Sequence, residues 1–443
     1  MVIYMINKIK QNKYQIIEST IISITVLIFT LVFNNFSLDE VWNYGFAYNI
    51  SSGLIPYKDF NLVITPLYPF ICSMFMTLFG KNIIVYYVFN AITTTTLYYY
   101  IKKHNKNNYY IIYTLLLTLI APNYNLFCIL LLYIILTLED KKSNDYIIGI
   151  FLGLTFLTKQ NIGIYLCIPS LFTKDIKKII KRIIGFLFPN IILLLYLLLN
   201  NSLYQFIDYT FLGMKSFLNN TYIDCSLLLL TIIITILLIY KYLKTKDIKI
   251  IYLICLQGMS FPIIDTYHVL LPFVIGLSYI IKDVKIDKKY TKLTFLFFII
   301  FTSCYNTYIN KTQGYNYPNE LTTYKYRKVD PHTIEAISKF KNYIKDREEK
   351  IFIISEWAYL IKLESNLPIN KYDLLNNGNL GKDGEYKIIN EIEQICQEEK
   401  CLFILDKNEL TENKSQYNKE ILQYVNDTYQ QIGMIYQYAI YKN

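Results

Sequence analysis

The sequence predicts a polytopic α-helical membrane protein of about eleven transmembrane helices, followed by a small C-terminal α/β domain outside the membrane. Three observations predict it. Apolar runs recur through residues 1–309, short lysine-rich patches separate them, and residues 310–443 then read as ordinary soluble protein. With 53% hydrophobic and 18% charged residues, the chain is too apolar for a purely soluble enzyme or a disordered segment. Six of its eight cysteines lie in or beside apolar runs, which excludes a disulfide-rich secreted scaffold.

Lys8, Lys10 and Lys13 precede an apolar stretch over 16–36, long enough for a helix to cross the hydrocarbon core. No small-residue cleavage site follows, which predicts a retained first helix. Further spans are expected at 83–101, 109–121, 124–138, 146–158, 161–173, 183–200, 225–240, 250–262, 268–281 and 293–309. The short run 67–79 opens after Pro66 and reads as interfacial.

Charge tests that assignment. Residues 1–309 carry 26 basic and 14 acidic side chains, against 18 and 20 in 310–443, so the basic character belongs to the membrane part. With a cytoplasmic N-terminus, 22 of those 26 cations fall in inner segments, including the runs 102–106, 141–142, 174–182, 241–249 and 282–292. Only Lys58, Lys81, Lys159 and Lys215 lie outside. This positive-inside bias puts the C-terminal domain on the external face of a cell membrane. It also accounts for the basic charge, so no nucleic-acid partner is implied.

Three polar clusters gather at outer helix ends under this topology. S-L-D-E-V-W-N-Y-G opens a large first external loop, 37–82, with Asp39 and Glu40, and leads to G-L-I-P-Y-K-D-F with Tyr57, Lys58 and Asp59. T-K-Q-N at 158–161 supplies Lys159 and Gln160, and F-P-I-I-D-T-Y-H at 261–268 supplies Asp265 and His268. Ionisable groups at apolar helix ends are costly to desolvate and point to function. Acids beside a lysine and a histidine suit an anionic phosphate and a reacting hydroxyl, the carboxylate acting as general base and the cations neutralising a phosphate leaving group. Structural readings compete. Ser37 and Glu40 have capping-box spacing, with Gly53 closing the same helix, and this explains Glu40 as well as catalysis does. One cap needs one acid, which leaves Asp39 over. Lys159 can snorkel to the interface, Asp265 can cap the following helix, and His268 can be a satisfied interfacial histidine.

Residues 37–80 carry a further pattern: an acid pair after the first helix, a helix, G-L-I-P-Y-K-D-F, then T-P-L-Y-P-F and a short apolar run ending L-F-G. This resembles the GT-C superfamily of membrane glycosyltransferases, which includes protein O-mannosyltransferases and the aminoarabinose transferase of lipid A. L-T-K-Q-N-I-G and F-P-x-x-D-x-x-H are also similar to elements of bacterial GT-C proteins. The resemblance covers 1–310 in architecture, and about 45 residues of it in recognisable pattern.

It implies transfer of a sugar from a polyprenyl-phosphate donor to a glycan, lipid or protein acceptor on the outer face, in bacterial cell-envelope synthesis. It places Asp39, with Glu40, at the active site and makes 67–79 a juxtamembrane segment. On this reading Asp39 deprotonates the acceptor hydroxyl, which displaces the polyprenyl phosphate in line from the anomeric carbon. Lys159 and His268 stabilise the departing phosphate, Tyr57, Lys58 and Asp59 bind the sugar, and Gln160 and Asp265 are further substrate contacts. Many relatives carry a second acid in the next external loop, where this chain reads A-P-N-Y-N with Asn123 and Asn125. Asparagine is a poor ligand for a divalent cation. No cofactor is therefore implied, and the departure argues against metal dependence, although Asp39 and Asp265 can still meet.

Beyond a polar linker at 310–330, H-T-I-E-A-I-S-K-F-K-N-Y-I has helical spacing and I-F-I-I-S, 351–355, reads as a buried strand. A second helix-to-strand unit runs from Glu385 through Lys400 into C-L-F-I-L-D, 401–406, and a helix near 416–426 precedes a final strand near 434–441. Such alternation predicts an α/β sandwich. N-N-G-N-L-G-K-D-G, 376–384, lacks a directly preceding strand and reads as a flexible surface loop, not a phosphate cradle. Cys396 and Cys401 lie across a helix end and a strand start, which weighs against a disulfide.

Three rival functions compete with the transferase. A flippase or transporter of lipid-linked glycan would carry its ionisable groups near mid-membrane. A polysaccharide polymerase or ligase would place its dominant loop later, and an anchor needs only one helix. Acids at outer helix ends, a large first loop and many spans favour the transferase.

Overall fold

The apolar runs form helices, as they must where the backbone can find no partner but itself. In the computed structural model α1 covers Val2–Ile28 and continues through a π turn, Phe29–Phe33. The first loop contains α2, Leu38–Ser51, and α3, Leu67–Phe79. Then come α4, Ile83–His104, α5, Tyr110–Ile120, α6, Tyr124–Asp140, α7, Asp145–Thr158, and α8, Gln160–Cys167. The set continues with α9, Ile176–Leu199, α10, Leu203–Ile207, α11, Cys225–Thr245, α12, Ile248–Leu256, α13, Thr266–Ile280, and α14, Lys288–Gln313. The structure describes residues 2–443 apart from 34–36, 63, 106–108, 121–122, 142–143, 174, 214–223, 262–263, 285–286, 315–316, 318, 330, 346, 356, 368, 374–379 and 408–418, and the side chains of 2–12, 33, 120, 288, 309–310, 313 and 419. Lys215 therefore lies outside the described residues. Among the described residues, three helical stretches are long and apolar enough to cross a membrane: Lys13–Val32, Ile176–Leu199 and Cys225–Thr245.

Several boundaries differ from expectation: α1 starts at Val2 and not at 16, α11 runs on to Thr245 beyond 240, and α14 covers Lys288–Gln313 against the expected 293–309. The basic run 174–182 reads as a loop, yet α9 starts at Ile176, with Asp175 Oδ1 accepting from the Lys177 N–H at 3.0 Å. Lysine and arginine are good helix formers, and their long stems carry the charge away from the apolar face.

The chain divides into two compact units. The first comprises Met1–Asn35, Ile84–Phe186 and Asp224–Thr312. Its core gathers Leu97, Leu126, Tyr133, Leu152, Tyr252 and Leu271, all nearly inaccessible. Helices α7 and α9 cross where both carry glycine: a Cβ on Gly149 would lie 2.2 Å from the Arg182 carbonyl oxygen, and one on Gly185 2.1 Å from that of Tyr146. Small residues at such a crossing are the usual device of membrane helices. Buried Arg182 reaches Glu139 and Asp145, each at 2.8 Å, and Lys249 pairs with Asp140, so the segments around 139–145, 182 and 249 share one end of this unit.

The second unit comprises Phe36–Ile83, Leu187–Ile223 and Gln313–Asn443. It contains α15, Pro331–Ile344, β1, Lys350–Ile354, α16, Ala358–Glu364, α17, Gly384–Glu398, β2, Cys401–Asp406, α18, Lys419–Thr428, β3, Gln430–Ile435, and β4, Tyr438–Lys442. The sheet order is β1-β2-β4-β3, with β1 and β2 parallel (Ile351 opposite Leu402) and the other pairs antiparallel. Phe352, Phe403, Ile392, Ile421 and Val425 form its core.

Four features differ from expectation. The single final strand is a hairpin, turned at Tyr436 with φ 53°; a tyrosine gives no turn signal. Cys396 and Cys401 do form a disulfide, their Cα atoms 5.6 Å apart, because the chain becomes extended at Glu399 as soon as α17 ends. Over 321–329 the supposed linker is packed: the buried Glu364 carboxylate accepts from the backbone N–H groups of Thr322, Thr323 and Tyr324 at 2.7–2.9 Å. The described part of the loop 376–384 is not a free surface loop either. Gly381, at φ +74°, lies against buried Asp208, whose Oδ1 accepts from the Lys382 N–H at 2.7 Å.

Candidate functional site

The first unit holds four of the nine residues singled out from sequence. Lys159 sits at the apex between α7 and α8. The apex is sharp because Gly163 lets α8 fold back on α7, where a Cβ would meet the Phe156 Cα at 2.2 Å. Lys159 is only 7% exposed, so it does not snorkel. Its ammonium donates to Asn125 Oδ1 at 3.0 Å and lies 5.2 Å from the centre of the Tyr124 ring. The asparagine that replaces the expected acid thus faces this lysine. Gln160, the first residue of α8, is also buried.

Asp265 caps α13. One oxygen, Oδ1, accepts from the His268 backbone N–H at 2.8 Å and lies 2.9 Å from the ring Nδ1. Burial pushes the Asp265 carboxyl up, but the His268 ring and the helix N–H groups outweigh it and hold it below its ordinary value. The capping reading is therefore realised, and it turns the His268 ring. The local backbone supports this. Pro272 has no N–H for the His268 carbonyl, which accepts instead from Ser260 Oγ at 3.3 Å. Both members of the pair stay partly exposed, at 38% and 22% of their side chains.

The second unit holds the other five. Ser37 caps α2, accepting from the Glu40 N–H at 3.3 Å, and Gly53 follows the helix at φ +90°. Glu40 has a second, distant partner beyond that cap. It is buried, and the Arg327 Nε and Nη2 donate to its two oxygens, each at 3.0 Å. Asp39, in the same helical turn, is exposed.

The G-L-I-P-Y-K-D-F segment folds into a tight turn closed by a Pro56–Phe60 bridge. Asp59 Oδ2 accepts from the Ile55 N–H at 2.7 Å. Tyr57 is fully buried against Phe206 and donates its hydroxyl hydrogen to the Ile64 carbonyl at 2.7 Å. Lys58 is exposed at the tip.

Within its own unit each group is local. Asp265 and His268 touch, Lys159 meets Asn125, Asp39 and Glu40 share a helical turn, and residues 57–59 share a loop. Sequence reasoning missed Arg327, Asn125 as the partner of Lys159, and Ser260.

Two solved structures share this fold. ArnT from Cupriavidus metallidurans in the apo state aligns over 98% of this chain and 98% of its own, with TM-score 0.57 and 9% identity. ArnT from the same organism bound to undecaprenyl phosphate aligns over 96% and 97%, with TM-score 0.55 and 8% identity. No protein-family model and no curated protein matches the sequence.

Proposed function

We propose that this chain, a polytopic membrane protein of the GT-C fold, is a glycosyltransferase that moves a sugar from a polyprenyl-phosphate donor to an acceptor on the outer face of a bacterial membrane. The likeness to ArnT over nearly the whole of both chains carries the reading, and one of those structures holds undecaprenyl phosphate. In the reaction the acceptor hydroxyl gives its proton to the Asp39 carboxylate while its oxygen attacks the anomeric carbon. The bond from that carbon to the phosphate oxygen breaks, and the electron pair leaves with the polyprenyl phosphate. Inversion follows from a single in-line displacement. Lys159 and His268 are assigned to the departing phosphate, where they would stabilise the charge that develops.

The roles of the remaining residues follow from their surroundings. Exposed Lys58 is assigned to substrate contact, whereas Tyr57 and Asp59 spend their polar atoms on the backbone and are assigned to shaping the loop. Gln160 is assigned to the lysine apex. The disulfide between Cys396 and Cys401 supports an extracytoplasmic C-terminal region, since such bonds persist in oxidising compartments. Eleven spans with a cytoplasmic N-terminus complete the proposed topology.

The lipid half of the reading has a direct test. Undecaprenyl phosphate, added to the purified protein, is expected to raise its melting temperature, and Lys159→Met is expected to abolish most of that rise. No shift with the lipid would sink the donor assignment.

A further inference from the structure

We propose that Arg327 is a positioning residue for Asp39, acting through Glu40. The inference rests on the reading of Asp39 as general base. Glu40 and Arg327 are 287 positions apart in the chain and both are buried, with 7% and 1% of their side chains exposed. The contact is a two-point fork, with 3.0 Å between Nε and Oε1 and 3.0 Å between Nη2 and Oε2. A fork of this kind fixes the orientation of a carboxylate as well as its distance. A carboxylate in the first turn of α2, once oriented, fixes the rotation of that turn and so the direction of Asp39 beside it.

The anchor is itself held. Arg327 follows Thr322, Thr323 and Tyr324, whose backbone N–H groups the buried Glu364 carboxylate grips. The Tyr324 ring meets Tyr44 of α2 edge-on at 5.9 Å. Tyr359 of α16 lies so close to α2 that a Cβ on Gly45 would be 2.1 Å from its ring. The C-terminal segment is thereby a mount for the acid-bearing helix and not an appended module. A buried pair is weak evidence for stability alone, because well-packed apolar residues often replace one at no cost. Holding one geometry is what the fork adds.

The test compares full-length protein carrying Arg327→Lys, the double replacement Glu40→Met with Arg327→Met, and Asp39→Asn, each purified in detergent. The probe is a panel of sugar-labelled undecaprenyl-phosphate hexoses and pentoses. The expected result is that the lysine variant and the double variant melt close to wild type. Both should lower kcat roughly 10- to 100-fold, the scale of a small misplacement of a catalytic group. The KM for donor should stay unchanged, and backbone hydrogen exchange across 38–51 should accelerate. Wild-type kcat and wild-type exchange in the double variant would overturn the inference, as would loss of fold in both, which would make the pair purely structural. Wild-type activity in Asp39→Asn would instead overturn the underlying reading, so the two failures are distinguishable.

Discussion

At the scale of single residues, chemistry and geometry separate side chains that share a motif. Asp39 and Glu40 are neighbours, yet one faces solvent and the other is sealed against a guanidinium. Gly45→Ala would ordinarily gain about 0.5–1 kcal/mol of helix propensity. The methyl group would sit 2.1 Å from the Tyr359 ring, however, and overpacking costs about 1–3 kcal/mol, so the variant should lower the melting temperature. Glu385 gives a pH signature. Burial, then its hydrogen bond to Glu420 and the charge there, push its carboxyl from the ordinary 4.5 up to about 8. The folded state therefore holds this proton more tightly than the unfolded chain does. That contribution is fully present below about pH 4.5 and is lost as pH rises toward 8. Glu385→Gln should melt like wild type at pH 4.5 and above it at pH 8, and equal melting at both would refute the pairing. Composition held a residue-scale signal as well. The chain has three arginines among 44 basic residues, and Arg182 and Arg327 are both buried in ion pairs. Arg182 reaches two carboxylates at once and Arg327 both oxygens of one, which a planar guanidinium with several donors allows.

At the scale of elements, helix positions were largely legible because apolar length and lysine boundaries are local properties. The run 67–79 and the apolar runs at 109–121, 124–138 and 146–158 differ from α3, α5, α6 and α7 by two residues or fewer at each end. Three features were not legible, two because their partners are distant in sequence and one because its turn carries no turn residue. The Glu40 fork joins residues 287 apart, the clasp on Asp208 joins 174 apart, and the β3–β4 hairpin turns on a tyrosine. The α7–α8 apex gives a prediction at this scale. Gly163→Leu puts a side chain where the Phe156 backbone stands, which should splay the two helices and displace Lys159. Undecaprenyl phosphate should then stabilise the variant far less than wild type, and an unchanged shift would show that the tight apex is irrelevant to the lipid. The disulfide is checkable without activity: non-reduced peptide mass spectrometry should find Cys396 linked to Cys401 and the other six cysteines open to alkylation once denatured.

At the scale of the whole molecule, a membrane enzyme with a lipid-borne donor needs a helical body, an acid that reaches a hydroxyl, and cations for a leaving phosphate. The fold is shared with ArnT at 8–9% identity. Asp39, Lys159 and His268 stand out in the sequence because each breaks an apolar pattern at a helix end, and their proposed roles start from that. The surroundings that tell a ligand from a brace, for Tyr57, Asp59 and Glu40, came only with the structure. The central claim is sugar transfer from polyprenyl phosphate with Asp39 as base, and labelled donor measures it directly. Purified protein incubated with sugar-labelled undecaprenyl-phosphate donors should move label from the lipid to an acceptor or to water. Asp39→Asn, equally stable and equally able to bind undecaprenyl phosphate, should do so at least about 100-fold more slowly. Label that never leaves any donor, or leaves equally fast in Asp39→Asn, would contradict the account.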